Sequence, residues 1–145
     1  MVKADTEQKI LNFKDLLDDD IKNINSVKTA IVKLNVLSEK LGRDVYVKVT
    51  GLKNRDYINA SKGVDTDTSE GSYNGSLLLA VRGVVEPDLK DKETQERFGV
   101  STSKELAERL FQGDDISTVV NEISYLSGLT DENGNARDVK GEAKN

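Results

Sequence analysis

Residues 84–129, VVEPDLKDKETQERFGVSTSKELAERLFQGDDISTVVNEISYLSGL, contain the signals that decide the fold of the C-terminal half. Pro87 is the chain's single proline and disfavours helical backbone at the preceding residue, so one element is predicted to end at Glu86. A polar helix is predicted to follow as far as Phe98, and Gly99 fits the left-handed position just past a helix end. Two more capped helices are predicted after it.

The next helix is predicted to begin after Thr102. Its hydroxyl can cap the helix while Glu105 bonds back to Thr102, which together form a capping box. The apolar stripe of this helix comprises Leu106, Ala107, Leu110 and Phe111. Gly113 is predicted to end it.

The last helix of the stretch is predicted to begin at Asp114. Its carboxylate can cap the helix and, with Asp115, places negative charge at the positive end of the helix dipole. Its apolar residues recur at helical spacing: Ile116, Val119, Val120, Ile123 and Leu126. Gly128 and Leu129 then finish the helix, with Leu129 placed to fold back on Ile123 as in a Schellman ending. The agreement between caps, stripes and stop signals specifies three short consecutive helices.

The composition of the chain disfavours several classes of function. Its 145 residues include no cysteine and no histidine, so disulfides, thiolate metal sites and histidine-based catalysis are not available. A net charge of −5 disfavours nucleic-acid binding, which needs clustered cations. No apolar run approaches the ~18 residues of a membrane span. No phosphate-binding or nucleophile motif occurs. We therefore expect a soluble, cytoplasmic, non-enzymatic protein without a cofactor.

Two Asp- and Asn-rich segments partly resemble calcium-binding loops. In residues 65–76, Glu70 replaces the required glycine; in the tail, Ala136 replaces it and no second helix follows. Plain polar loops are the simpler interpretation, so no metal site is predicted.

The N-terminal segment, residues 1–27, is predicted to contain an amphipathic helix over residues 5–25, either continuous or broken near the acidic run 18–20. Its stripe consists of Ile10, Phe13, Leu17, Ile21 and Ile24. Such a stripe on a terminal helix suits packing on the domain's own core and suits equally a face for a partner or for self-association. The pattern leaves both alternatives open.

The hydrophobic period changes to two in residues 28–52, which predicts an antiparallel β-hairpin. Apolar and polar residues alternate in 29–37 and in 44–52, with the turn at 41–44. Val45, Val47 and Val49 share one face, which must pack on helices because a two-stranded ribbon alone is marginally stable. The alternative for residues 29–41 is the extension of a helix.

The remaining segments complete a mainly α, α+β fold, with several short helices and the small hairpin packed on them. Residues 52–62 are predicted as a short helix and 63–76 as a flexible loop. The buried apolar run 77–85 is predicted either as a strand or as the end of a helix that starts near Ser72. We expect a single domain over residues 1–129, with the helical part at 53–129. The polar tail, 130–145, is expected to be disordered.

The order of motifs in the C-terminal half resembles a known family. VEPDL (85–89), RFGV (97–100), SKEL (103–106), LFQGDDI (110–116) and ISYLSGL (123–129) follow one another. This order is similar to that of the XkdN-like tail assembly chaperones of long-tailed bacteriophages and phage-like elements of Gram-positive bacteria. The resemblance covers about residues 44–129. Gln112 stands where a proline is usual and Asp114 where glutamate is common. The motif residues with structural roles are Glu86, Pro87, Phe98, Gly99, Gly113, Asp114, Ile116, Ser127 and Gly128.

The resemblance implies a non-catalytic assembly factor that binds the tape-measure protein, keeps it soluble and helps recruit tail-tube subunits. It further implies a place in the host bacterial cytoplasm, absence from the mature virion, and a frameshift-extended form for which the polar tail would serve as linker. The candidate client-binding residues are Ile10, Phe13, Leu17, Ile21, Ile24 and any exposed part of Leu106, Leu110 and Phe111. The alternative function is a structural minor tail or connector component of the virion.

Overall fold

The computed structural model describes residues 9–137, which form seven α-helices and one three-stranded antiparallel sheet. A 3-10 turn at Phe13–Asp15 precedes α1 (Asp18–Asn25), β1 (Thr29–Lys33), α2 (Asn35–Leu41), β2 (Tyr46–Thr50) and α3 (Asn54–Ala60). The chain continues through α4 (Ser69–Gly83), β3 (Val84–Glu86), α5 (Lys92–Arg97), α6 (Ser103–Leu110) and α7 (Asp115–Leu126). The predicted α+β, mainly α class is confirmed.

The antiparallel pairing of β1 with β2 is confirmed, but the connection between them differs from the predicted turn. The register places Thr29 opposite Thr50 and Lys33 opposite Tyr46. Residues 35–41, predicted partly as strand, form α2 instead. Both alternatives for residues 29–41 are therefore partly right, because a strand is followed directly by a helix.

The apolar run 77–85 likewise contains both of its predicted alternatives. α4 extends to Gly83, and β3 then pairs antiparallel with β2, with Val84 opposite Val49. The sheet order is β1-β2-β3, which makes β2 the central strand. The third strand converts the predicted hairpin into a sheet whose valine face is wider.

The predicted loop over residues 63–76 is wrong for its second half, since α4 begins at Ser69. Thr68 caps this helix by accepting a hydrogen bond from the Gly71 N–H at 2.9 Å. A side chain at Gly71 would overlap the Asp65 carbonyl, so glycine allows the preceding loop to fold closely onto the helix. The glycines and polar residues of this segment therefore serve a helix start rather than a mobile loop.

The core lies between the valine face of the sheet and helices α4, α6 and α7. Val49 of β2 and Val119 and Ile123 of α7 are completely buried, and α7 packs on α4, β1 and β2. Gly83 permits the close approach of α4 to α7, because a Cβ there would overlap Ile123. The predicted apolar stripe of α7 is confirmed as a core face.

Asp115 joins α7 to α2 through a buried carboxylate. Its two oxygens accept the backbone N–H groups of Val36 and Leu37 at 3.0 and 2.9 Å, and its side chain is almost completely buried. Those N–H groups belong to the first turn of α2, whose own N-cap residue, Leu34, provides no side-chain hydrogen bond. Asp115 thus caps α2 from 79 residues away in the sequence.

The predicted capping of α7 by Asp114 is wrong. Asp114 makes no side-chain capping bond, and its backbone has φ −72° and ψ −14°. A capping side chain needs the extended backbone that Asp114 lacks. The neighbouring carboxylate, Asp115, has the structural role, but at another helix.

The capping box of α6 is present in a shifted form. Thr102 Oγ1 accepts from the Glu105 N–H at 3.1 Å, as predicted. Glu105 Oε1 accepts a hydrogen bond from the N–H of Ser101 at 2.9 Å rather than from that of Thr102. The Ser101 N–H holds the pKa of the Glu105 carboxyl below its ordinary value, because it hydrogen-bonds the charged form.

The predicted helix ends at Gly99 and Gly128 are confirmed, with φ of +71° and +82°. The Gly128 N–H donates to the Tyr125 carbonyl and the Leu129 N–H to the Ser124 carbonyl, both at 3.0 Å, which is the Schellman pattern. The Leu129 side chain remains exposed.

The turn before α5 is held by a buried polar side chain. Gln95 is buried and donates from Nε2 to the Leu89 carbonyl at 2.8 Å. The polar helix predicted after Pro87 therefore begins only at Lys92, because the intervening residues form the turn that Gln95 fixes.

Residues 130–137 form a hydrogen-bonded turn, which differs from the disorder predicted for the tail. Thr130 and Ala136 make an antiparallel bridge. Asp131 Oδ1 accepts the N–H groups of Asn133 and Asn135, both at 2.9 Å. The Asp131 carboxylate and the backbone hydrogen bonds together order this turn. The rest of the predicted tail, 138–145, lies outside the described residues.

The substitution Asp115→Asn tests the link between α2 and α7. The amide keeps the shape of the side chain but turns an NH₂ group toward one of the two backbone N–H groups. A buried donor without an acceptor costs about 1–3 kcal/mol, so we expect a loss of roughly 2–3 kcal/mol in the free energy of unfolding. Urea denaturation followed by circular dichroism measures it.

Asp114→Asn is the matched control for that substitution. Asp114 is exposed and makes no side-chain hydrogen bond to cap α7, so its loss should cost less than about 1 kcal/mol. Equal losses in the two variants would contradict the assigned role of Asp115.

Candidate functional site

The predicted helix over residues 5–25 is only partly present in the described residues. Leu16 and Leu17 have extended backbone and separate the 3-10 turn from α1. The predicted break near the acidic run is therefore present, and the run itself forms the first turn of α1. Asp20 Oδ2 accepts the Leu17 N–H at 2.9 Å, and three consecutive aspartates occupy the positive end of the helix. Residues 1–8 lie outside the described residues.

The apolar stripe of this segment is not covered by the rest of the domain. We define the N-terminal apolar surface as Ile10, Phe13, Leu17, Ile21 and Ile24. Their exposed fractions are 93, 79, 69, 47 and 65%. α1 contains no buried residue. Of the two alternatives left open by the sequence, packing on the domain's own core is therefore not what the structure shows.

The exposure of this surface is energetically unfavourable in water. Complete burial of one such side chain contributes about 1.5–3 kcal/mol, so a partner that covers several of them gains a substantial driving force. Several large apolar side chains that are exposed in one segment indicate an interaction site. The N-terminal apolar surface is accordingly the strongest candidate site in residues 9–137.

The second group of candidate residues, Leu106, Leu110 and Phe111, belongs to the core or packs against it. Leu106 and Phe111 are 0 and 1% exposed, and Leu110 is half-buried. Leu106 and Phe111 are members of the hydrophobic core and are not accessible to a client, and Leu110 packs against that core. Only part of Leu110 satisfies the condition of exposure on which that prediction depended.

The motif residue Ser127 makes contacts that the sequence did not indicate. Its Oγ accepts the Leu52 N–H at 2.8 Å and donates to the Ile123 carbonyl at 2.6 Å. It therefore ties the end of α7 to the segment that enters α3. Gly51 allows this approach, since a Cβ there would overlap the Leu126 carbonyl.

The other motif residues lie at the ends of helices and strands or in the core, and they do not form a second site. Ile116 is in the core and Gly113 has φ +55° after α6. Glu86, Pro87 and Phe98 lie exposed around the turn that precedes α5 and at its end, with a cis peptide bond between Glu86 and Pro87.

A groove of about 440 Å³ lies where the ends of α1 and α7 meet the start of α3. Its apolar lining consists of Val27, Leu52, Tyr125 and Leu126, and its cationic lining of Lys28, Lys53 and Arg137. No acidic residue is among the described residues that line it. We call it the basic groove, and it is a local concentration of positive charge on a chain of net charge −5.

Two contacts hold Arg137 at the basic groove that it helps to line. Its Nε donates to the Thr130 carbonyl at 3.0 Å, and its Cζ lies 6.0 Å from the centre of the Tyr125 ring. Sequence reasoning missed this groove because its three cations are widely separated along the chain and no local pattern connects them.

None of the helices within residues 9–137 has the length and apolar character needed to cross a bilayer.

Comparison with known proteins identifies a family and a similar fold. The family model described as phage XkdN-like tail assembly chaperone protein matches residues 7–140. Among solved structures, the chain is similar to the crystal structure of the protein YqbN, with a TM-score of 0.56 and 18% sequence identity. The similarity covers 83% of this chain and 98% of that chain, and at this identity it shows the fold alone. No curated protein sequence matches the chain.

The exposure of the N-terminal apolar surface predicts that polar substitutions there leave the domain folded. At low protein concentration, Phe13→Asp and Ile21→Asp should each change the free energy of unfolding by less than about 0.5 kcal/mol. Phe111→Ala, which truncates a buried ring, should cost about 3–5 kcal/mol. Chemical denaturation of the three variants compares them directly. A loss of core-like size in Phe13→Asp would show that Phe13 packs on the domain.

Proposed function

Because the chain belongs to the family of phage XkdN-like tail assembly chaperones, we propose that it binds the tail tape-measure protein through the N-terminal apolar surface. Binding keeps this client soluble and holds it ready for assembly with tail-tube subunits in the host cytoplasm. The observation that carries the proposal is the exposure of Phe13 and its neighbours in a segment with no buried residue in α1.

The spacing of the surface suits a helical client. Leu17, Ile21 and Ile24 stand at positions i, i+4 and i+7, which is the anchor pattern by which one helix lies along the apolar face of another. Phe13 and Ile10 extend the same apolar series toward the N-terminus. A long helical tape-measure protein would offer a matching stripe along its length.

The charge of the chain suits a solubilising role. Asp18, Asp19 and Asp20 lie beside the apolar side chains, and the whole chain carries −5. Once the apolar stripe is covered by the client, the surface of the complex remains acidic. Net charge of one sign opposes the association of such complexes with one another.

Recruitment of tail-tube subunits is the second half of the proposal. We assign it to a frameshift-extended form in which the polar C-terminal residues connect this domain to a tube-binding part. Intact-mass analysis of the protein made from the natural gene would detect the longer product, and its absence would remove this half of the proposal without affecting the first.

Co-expression with the tape-measure protein tests the binding proposal. We expect Phe13→Asp and Ile21→Asp each to reduce recovery of the client by at least ~10-fold, because each variant buries a carboxylate in an apolar contact. Affinity purification followed by quantitative immunoblotting measures the recovery.

Ile58→Asp is the matched control for this experiment. Ile58 is 69% exposed, lies on α3 outside the N-terminal segment, and should bind client as the wild type does. Wild-type recovery with Phe13→Asp and Ile21→Asp would contradict the proposed surface. Stoichiometric amounts of this chain in purified phage particles would instead support the alternative, a structural component of the virion.

A further inference from the structure

The N-terminal apolar surface and the basic groove are chemically complementary. We propose that, without client, two copies of this chain form a closed dimer in which α1 of each copy lies in the basic groove of the other. The inference goes beyond the proposed function, because it concerns what covers the apolar surface before a client arrives, and it is argued from the two surfaces alone.

The apolar side of α1 has acidic edges. At about 3.6 residues per turn, Ile21 and Ile24 share one face of the helix, and Asp18 and Asp20 fall on opposite sides of that face. Leu17, the N-cap residue, precedes Ile21 at the same spacing. Asp18 is exposed. α1 therefore presents an apolar stripe bordered by negative charge.

The basic groove has the inverse arrangement. Its apolar residues, Val27, Leu52 and Leu126, are accompanied by Lys28, Lys53 and Arg137. Within residues 9–137, the one ion pair joins Lys33 to Asp44, at 3.2 Å, so the three groove cations have no carboxylate partner in the described part of the chain. Apolar contact and opposite charges give α1 two independent reasons to bind there.

The occupant is a second copy and not the chain's own α1. The groove wall includes Asn23 and Ser26, at the end of α1, so each α1 leaves from the edge of its own groove. Its Leu17 and Ile21 remain exposed, which shows that its own stripe does not lie in that groove.

The closeness of α1 to its own groove determines the symmetry. When the two complementary surfaces are adjacent on one chain, a single two-fold axis places both helices in both grooves at once. The pairing then closes at two copies, with two equal contacts, and does not propagate into longer chains.

The client and the second copy compete for the same side chains under this arrangement. A dimer keeps the N-terminal apolar surface covered, and client binding releases the partner copy. Addition of the tape-measure protein should therefore convert dimers into client complexes. In these complexes each binding position on the client holds one copy of this chain and not a dimer.

Charge exchange between the two surfaces tests the dimer. Sedimentation equilibrium of the full chain should give twice the 16.0 kDa of one chain. We expect Asp18→Lys alone, and Lys53→Glu combined with Arg137→Glu, each to weaken dimerisation by at least ~10-fold. An equal mixture of the two variants should recover the dimer, because both contacts in the mixed pair again join opposite charges.

Lys62→Glu is the control, since Lys62 is exposed and lies outside the groove; it should dimerise as the wild type does. The proposal is overturned if the wild type is monomeric at every concentration, if its mass grows beyond two chains, or if the mixture fails to recover the dimer. It is also overturned if the groove variants lose the client while the wild type is monomeric, which would make the groove a client site.

The same variants separate this inference from the proposed function. Lys53→Glu with Arg137→Glu should bind the client at least as well as the wild type, because the client contacts α1 and not the groove and because the competing dimer is weakened. Loss of client by Ile21→Asp, together with recovery of the mixed dimer, supports both the proposed function and the proposed dimer. An unchanged client complex in Ile21→Asp would contradict the proposed function without affecting the dimer.

Discussion

The two hydrogen bonds that the Asp115 carboxylate accepts from Val36 and Leu37 connect the N-termini of two helices that are far apart in the sequence. A buried carboxylate is tolerated only where donors satisfy it, so α2 must begin where Asp115 can reach its first turn. The start of α2 in turn ends β1 at Lys33 and fixes the connection between β1 and β2. Because α7 also packs on α4 and on the sheet, this side chain ties the edge of the sheet to the helical part of the core.

The N-terminal segment differs from the rest of the domain in the exposure of its apolar side chains. Core positions of α7 and β2, such as Val119 and Val49, are completely buried, whereas Phe13 is 79% exposed. The sequence therefore carries more apolar side chains at regular spacing than its own core uses. In the proposed function, this excess on a terminal segment holds an apolar client while the body keeps its fold. In the proposed dimer, the basic groove of a second copy covers the same side chains before the client binds.

The sequence predicted those features whose causes are local. Gly99 and Gly128 end helices and Thr102 begins one because each acts within a few residues of its own position. Local signals could not show that Asp115, and not Asp114, is the capping carboxylate, because the N–H groups that Asp115 accepts from lie on another helix. The start of α4 was missed because Thr68 and Gly71 have the composition of a loop, and only the Asp65 carbonyl packed against Gly71 shows why a helix needs them. For the N-terminal apolar surface, periodicity identified the side chains but not what covers them. The basic groove could not be predicted, because only the fold brings residues 28, 53 and 137 together.

The central claim is that a stable body presents its N-terminal apolar surface to a client and does not itself rearrange. Amide hydrogen exchange, followed by mass spectrometry with and without the tape-measure protein, tests this claim most directly. At a concentration where the free chain is monomeric, we expect client to slow exchange in peptides covering residues 9–28, while peptides from α6 and α7 exchange at the same rate in both samples. Slower exchange in α6 and α7, with no change in residues 9–28, would contradict the account.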